Sequence, residues 1–204
     1  MQPGATQVMG ESVDGFTAGF PTTFATDDRN AMIALGMNGE PLPVIHGFPA
    51  RLVVPGLYGY VSATQWLRSI TLTTLEEQDG FWIPRGWSKL GPVKTASRID
   101  VPRSGSSVAA GPVTVAGMAW APGRGITTVE VRVDQGPWQP ARLGGALSQE
   151  AWRQWSWTWP ATPGPHLLEV RATDRTGEVQ TERYAPIAPD GASGYHAVEV
   201  QVGA

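Results

Sequence analysis

The sequence predicts an α+β, strand-rich fold in two domains, a mixed portion over residues 1–102 and an antiparallel β-sandwich over residues 103–204. Three observations point there. The 204 residues include 25 Gly and 18 Pro, a turn-rich composition interrupted by many short apolar runs. The stretch Asp100–Gly111 is rich in Ser, Gly, Pro and Ala, as a linker is. From Pro112 onward, apolar residues recur with period two in five separate runs.

Composition narrows the functional classes. Charged residues make up 16% of the chain and the net charge is −3, so the electrostatics give no reason to expect a nucleic-acid partner. No run of about 18 apolar residues exists to form a transmembrane helix, and the first residues lack the basic-then-apolar pattern of a signal peptide. Cysteine is absent, which excludes disulfides and thiolate metal ligands from this sequence and leaves the compartment undetermined.

Taken in order, Met9–Thr17 reads as a strand entering a turn, with Asp14 before Gly15 as a turn-forming pair. Phe20–Phe24 reads as a short helical start with Pro21 at its first position. Ala31–Met37 and Arg51–Val54 are apolar enough for strands, and Asn38-Gly39 between them suits a type I′ turn. Pro41, Pro43 and Pro49 fix φ and are expected to hold His46-Gly47-Phe48 in an extended loop. His46 and Arg51, five residues apart, pair an imidazole with a guanidinium fork that would clamp a phosphate. The other reading is a surface His and a solvated Arg beside a hairpin. In Tyr58–Trp66 the small residues Ser62 and Ala63 would let the backbone approach an anion closely, with Thr64 and Gln65 completing the turn. Ile70–Thr73 alternates as a half-buried strand, and Phe81–Trp87 is an aromatic loop.

The sandwich strands are expected at Val113–Trp120, Thr128–Val133, Trp155–Trp159, Leu167–Ala172 and Ala197–Val202. Without a disulfide, aromatic burial must hold the two sheets, and Trp120, Trp138, Trp155, Trp157 and Trp159 are available for it. Gly123-Arg124-Gly125 lacks the context of a phosphate loop and reads as a turn. His166 and His196 have no carboxylate or His at ligand spacing, so they read as structural. A row of exposed tryptophans would instead suggest a non-catalytic module that binds a carbohydrate or a protein partner.

The segment MNGEPLPVIHGFPARLVVPG resembles the NGEPLP…HGFPxRxVVPG stretch of the sulfite oxidase family of molybdopterin enzymes. GMAWAPGRGITTVEVRVDQGPWQPARL with WRQWSWTW and ATDRTGEVQ resembles the immunoglobulin-like dimerisation domain that follows in the same family. The resemblance implies a partial molybdopterin-binding domain followed by an immunoglobulin-like β-sandwich, with homodimerisation through the sandwich. It implies pterin contacts by His46 and Arg51, by the turn Ser62, Ala63, Thr64 and Gln65, and by Asp14 in SVDGFTAGFP. Gln65 stands where many members carry a Lys, so it can donate but brings no charge.

Two further departures imply a reaction other than standard sulfite oxidation. Trp87 takes the place of a Tyr in the substrate pocket, and Asp190 falls where sulfite-type members have an Arg. Members also hold molybdenum through a cysteine upstream of the region covered here. The expectation is therefore the C-terminal portion of a longer protein, partnered by the missing N-terminal part of the cofactor domain and by an electron-transfer partner. The molybdenum cofactor would belong to the intact enzyme, with none held tightly by this chain alone.

Overall fold

The structure, a computed structural model, describes residues 4–203. The chain divides into two compact units. One runs to Val93 and includes Ile187–Gly191; the other comprises Lys94–Pro186 and the stretch from Ala192.

In the first unit, β1 (Gln7–Ser12) and β2 (Thr17–Pro21) form a hairpin whose turn carries Asp14 and Gly15. Pro21 caps a 3-10 turn at Thr22–Ala25 instead of occupying its first position, because its extended ψ of 138° still belongs to the strand. β3 (Met32–Ala34) is followed by a second, tighter hairpin of β4 (Gly36–Met37) and β5 (Glu40–Pro41). Its central residues Asn38 and Gly39 have φ of 56° and 82°, as a type I′ turn requires. β6 (Arg51–Val53) pairs with β3, α1 (Gly59–Ser62) is a single turn, and β7 (Leu67–Thr73) returns along the free edge of β1. Phe20, Leu52, Val54, Leu57 and Val61 close the core with Val8.

Two local expectations fail here. The loop before Gly47 is not extended: Val44–His46 is a 3-10 turn, started at Pro43 and stopped by Gly47 at φ 106°. β7 alternates, yet Ile70 and Leu72 remain 41% and 37% exposed, so its apolar face is uncovered in this chain.

In the second unit the five period-two runs all become strands. β8 (Ala96–Val101) and β9 (Ser106–Ala109) precede β10 (Gly111–Trp120) and β11 (Ile126–Val133). The short β12 (Gln139–Pro140) and β13 (Arg142–Leu143) lead to β14 (Arg153–Ala161), β15 (Gly164–Asp174) and β16 (His196–Gly203). One sheet has the order β13-β14-β10-β8 and the other β12-β11-β15-β16-β9. The Ser/Gly-rich stretch that reads as a linker thus contributes β9, paired in parallel with β16. Edge pairing needs only backbone donors and acceptors, so composition hides it.

The inner faces meet in one core that contains Val115, Val131, Leu168 and Val170, all with no exposed surface. Burial of each such side chain contributes at most about 1.5–3 kcal/mol. Trp155 and Trp159 are buried in this core and Trp157 packs against it. They fill the sandwich rather than form an exposed row, which removes the basis for the carbohydrate-binding alternative. The outer face of β11 and β15 carries directly opposed ion pairs, Arg132–Glu169 and Arg171–Glu130, at 2.8 and 2.7 Å. Among the described residues no helix is long and apolar enough to cross a membrane.

Candidate functional site

The first unit brings four of the sequence-derived candidates together. Asp14, Ala63 and Gln65 line one cavity of about 220 Å³ with Ser12, Phe16 and Trp66. Ligand pockets usually measure about 300–1,000 Å³, so this one is large enough for an edge of a ligand and too small to enclose it. Arg51 reaches the same neighbourhood through Gly47. A Cβ on Gly47 would lie 3.2 Å from both Arg51 Cβ and Gln65 Cα, so only glycine lets the two chains approach this closely.

The loops owe their shape to bonds around this glycine. Gly47 donates to Val44 O at 3.0 Å and accepts from Trp66 N at 3.3 Å. Leu52 donates to Thr64 O at 2.9 Å, and Leu67 to Ala50 O at 2.8 Å, so the 43–52 segment lies along the 64–67 segment. Trp66 adopts φ 48°, a left-handed conformation that costs a bulky L-residue roughly 1–2 kcal/mol.

The polar groups here are incompletely satisfied. Arg51 Nε is buried and has no hydrogen-bond partner, and the residue makes no ion pair among the described residues. Thr64 is fully buried with its Oγ1 unpartnered, pressed against Gly10, where a Cβ would meet it at 2.7 Å. The amides of Thr64 and Gln65 donate to no other group among the described residues, whereas Ala63 N is bonded to Gly59 O. A half-buried arginine with an unpartnered Nε, and the unbonded Gln65 amide at the cavity, suit an anionic or acceptor-rich ligand.

The remaining candidates lie differently. Ser62 is buried and its Oγ donates back to Tyr58 O at 3.1 Å, so its hydroxyl faces its own helix. His46 is exposed at the end of its 3-10 turn. Asp14 is exposed, and its Oδ1 accepts from Phe16 N at 3.0 Å. That bond, helped by Ser12, holds the carboxyl below the usual carboxylate range. It is a turn-forming Asp at the rim of the cavity, as its place before Gly15 suggests. Sequence alone does not single out Ser12, Phe16 or Gly47, because a cavity wall has no periodicity.

Trp87 belongs to a run of rings. Phe16, Phe81, Trp82, Trp87 and Tyr60 follow one another at centroid separations of 5.7, 5.2, 5.7 and 4.7 Å. The Ile187–Gly191 segment packs onto the far end. Pro189 O accepts from Ser88 N at 2.8 Å and from Tyr60 OH at 3.3 Å, and Gly191 leaves no room for a Cβ against Tyr58. Burial, then the neighbouring Asp190 carboxylate, push the Tyr60 hydroxyl above its ordinary pKa. Trp87 and Asp190, distant in sequence, thus both lie close to Tyr60.

In the second unit the histidines are structural. His166 sits between Asp134 and Thr162 O, and His196 Nδ1 accepts from Ile99 N at 3.1 Å. The Gly123-Arg124-Gly125 turn carries Arg124 onto the buried Asp174, at 2.7 Å. No group of His, Asp or Glu among the described residues is arranged to hold a metal ion.

Comparison with known proteins agrees with this division. Residues 1–82 match the family model described as the oxidoreductase molybdopterin binding domain, and residues 96–200 match that of the bacterial Ig domain. Mitochondrial sulfite oxidase of Homo sapiens is 33% identical over 198 residues, covering 84% of this chain and 36% of that protein. The uncharacterized oxidoreductase YuiH of Bacillus subtilis is 42% identical over 76 residues, covering 36% of this chain and 37% of the relative. Among solved structures, the sulfane dehydrogenase SoxCD of Paracoccus pantotrophus superposes with a TM-score of 0.79 at 26% identity, over 98% of this chain and 56% of that one. The chain therefore spans little more than a third of the length of the human relative. With a molybdopterin-domain portion and an Ig-like sandwich in this order, the chain belongs to the sulfite oxidase family of molybdenum-cofactor oxidoreductases.

Proposed function

We propose that this chain supplies one wall of the pterin site of a molybdenum-cofactor-dependent oxidoreductase, together with a sandwich through which two copies associate. The observation that carries the reading is Arg51, whose buried Nε has no partner and which has no carboxylate to neutralise it among the described residues. Leaving such a donor unpaired costs about 1–3 kcal/mol, a cost that an acceptor on the cofactor would offset. His46 stands at the open end of the same loop, and the Thr64 and Gln65 amides add donors. Asp14, Ala63 and Gln65 shape the cavity, and Ser62 supports the turn from within its helix. When bound, the cofactor supplies the redox chemistry; the residues of this chain hold and orient its pterin portion.

The sequence contains no cysteine, so a thiolate to molybdenum must come from elsewhere in the full protein. Met32, Ile33, Leu35, Val44, Ile45 and Phe48 are 48–75% exposed in the first unit, and they form the surface on which we place the rest of the cofactor domain. Trp87, tilted against Tyr60 near Asp190, is assigned to the substrate side, where a carboxylate and an aromatic wall disfavour a small dianion such as sulfite. An electron-transfer partner completes the reaction.

Arg51→Gln in the full-length protein tests the pterin assignment. The expected result is a loss of molybdopterin content of tenfold or more with folding unchanged; wild-type retention would overturn it. Steady-state assays with sulfite against neutral or cationic oxidisable substrates test the second point, and efficient sulfite turnover would refute it. Sedimentation at high concentration should show a dimer, and a monomer would remove the association through the sandwich.

A further inference from the structure

Trp66 bonds to two of the segments that border the cavity and closes the turn that forms the third. Its carbonyl accepts from Val13 N at 3.1 Å, which ties down the loop carrying Asp14. Its amide donates to Gly47 O at 3.3 Å and its indole Nε1 donates to Val44 O at 2.8 Å, which ties down the loop that leads to Arg51. The residue itself ends the turn of Ala63, Thr64 and Gln65, and it lines the cavity. These bonds coexist with φ 48°, a conformation an aromatic L-residue does not keep without compensation from its surroundings.

We propose that Trp66 is a positioning residue that fastens the 13–16 loop, the 43–50 loop and the 63–65 turn into one surface. Arg51, Gln65 and Asp14 then present their polar groups together. The proposal rests on the pterin-binding reading for its purpose, but not for its geometry. Leu52 N on Thr64 O and Leu67 N on Ala50 O also join the second segment to the third, but neither bond reaches the tip at Val44–Gly47, which without Trp66 would open locally. A surface ordered before binding avoids paying that ordering cost when the ligand arrives. The indole N–H is committed to Val44 O, so Trp66 acts through the segments it holds.

Trp66→Phe in the full-length protein keeps an aromatic ring and loses only the Nε1 bond. Amide hydrogen exchange at Gly47 and Phe48 should accelerate about tenfold or more, while Val131 and Val170 in the sandwich exchange as in wild type. Titration with molybdopterin should show affinity weakened about tenfold with an unchanged thermal midpoint, a split that a merely structural residue would not give. Trp66→His, which restores a ring N–H, should recover part of both. Wild-type exchange at Gly47 and Phe48 in Trp66→Phe would overturn the proposal, as would faster exchange with undiminished affinity. If the wild-type protein itself fails to bind molybdopterin while Trp66→Phe still loosens the loop, the pterin reading falls and the fastening stands.

Discussion

The two units solve the folding problem in opposite ways. The sandwich uses mostly long strands that alternate apart from single register shifts where β10 meets β8 and β11 meets β15, with Val129 and Val131 turned inward and Glu130 and Arg132 turned outward onto opposing charges. The first unit uses strands of two to seven residues joined by Pro- and Gly-rich loops, and it leaves Arg51 Nε and Thr64 Oγ1 without partners around one cavity. The sandwich has orphans too, Ser106 Oγ, Arg153 Nε and Trp155 Nε1, and Trp155 borders a hollow with Arg142, but the wall there is mostly strand, from β8, β10, β13 and β14. Regular alternation specifies packing, and the departures from it lie in the loops that carry the proposed site.

The largest expected effect falls on the scaffold. Asp174 is buried, and it accepts from Thr95 Oγ1, Arg124 Nε, Thr176 N and Oγ1, and Glu178 N. Asp174→Ala strips the Arg124 guanidinium of this partner and should cost about 3 kcal/mol, toward the low end for a buried pair because Arg124 keeps 27% of its side chain exposed. Burial pushes the carboxyl up, but the bonds from Thr176, Arg124 and Thr95 outweigh it and hold it well below the usual range. A depressed carboxyl pKa stabilises above the unfolded value and is lost as pH falls through the folded one. Denaturant titrations should therefore show the wild-type advantage over Asp174→Ala shrinking in acid. An advantage independent of pH would mean the pair is not what holds this corner of the sandwich.

How much of this was legible in the chain divides along the same line. The five long sandwich strands follow from period two alone, since a strand buried on one face must alternate. Asn38-Gly39 announces its turn because few residues accept positive φ twice in succession. β9 and β13 are not legible, because an edge strand of two to four residues carries no pattern of its own. In the site, His46 and Arg51 stand out by chemistry and by resemblance, and Asp14 by its turn. The assembly of Asp14, Ala63 and Gln65 around one cavity depends on contacts across some fifty residues, which local sequence does not encode. Trp66 at φ 48° is likewise invisible, because nothing in an aromatic residue's identity suggests a left-handed backbone.

A middle-sized effect tests whether the first unit is as tightly built around its cavity as the sandwich is around its core. Gly10 lies on the central strand β1, where an added Cβ would meet Thr64 Oγ1 at 2.7 Å and Leu52 Cδ2 at 3.2 Å. Gly10→Ala should destabilise by about 1–3 kcal/mol through overpacking. Thr64→Ala removes the obstructing hydroxyl, so the double variant should be more stable than additivity predicts. Strict additivity in a double-mutant cycle would show that the backbone shifts freely and that this wall of the site is soft.

The smallest effect returns to the sandwich and concerns pH. His166 Nδ1 lies 2.7 Å from Asp134 Oδ2 and Nε2 lies 2.8 Å from Thr162 O, so both ring nitrogens face acceptors and only the imidazolium donates to both. The hydrogen bond to Asp134 raises the His166 pKa above 6.5; burial opposes it and Thr162 O adds to it. The sign follows from linkage. A raised pKa gives stability that is fully present below the unfolded value near 6.5 and is lost as pH rises through the folded value. The other charges nearby are few. Glu199 lines the same hollow from β16. The Asp134-Gln135 turn, at φ 51° and 59°, is anchored by Asp134 Oδ1 on Leu167 N, and that bond survives deprotonation of the ring. The loss should therefore be a modest fall in thermal midpoint between neutral and mildly alkaline pH. His166→Asn, which does not titrate, should flatten that fall. If the variant keeps the same slope, the pH dependence arises elsewhere and the imidazolium contributes nothing measurable to the sandwich.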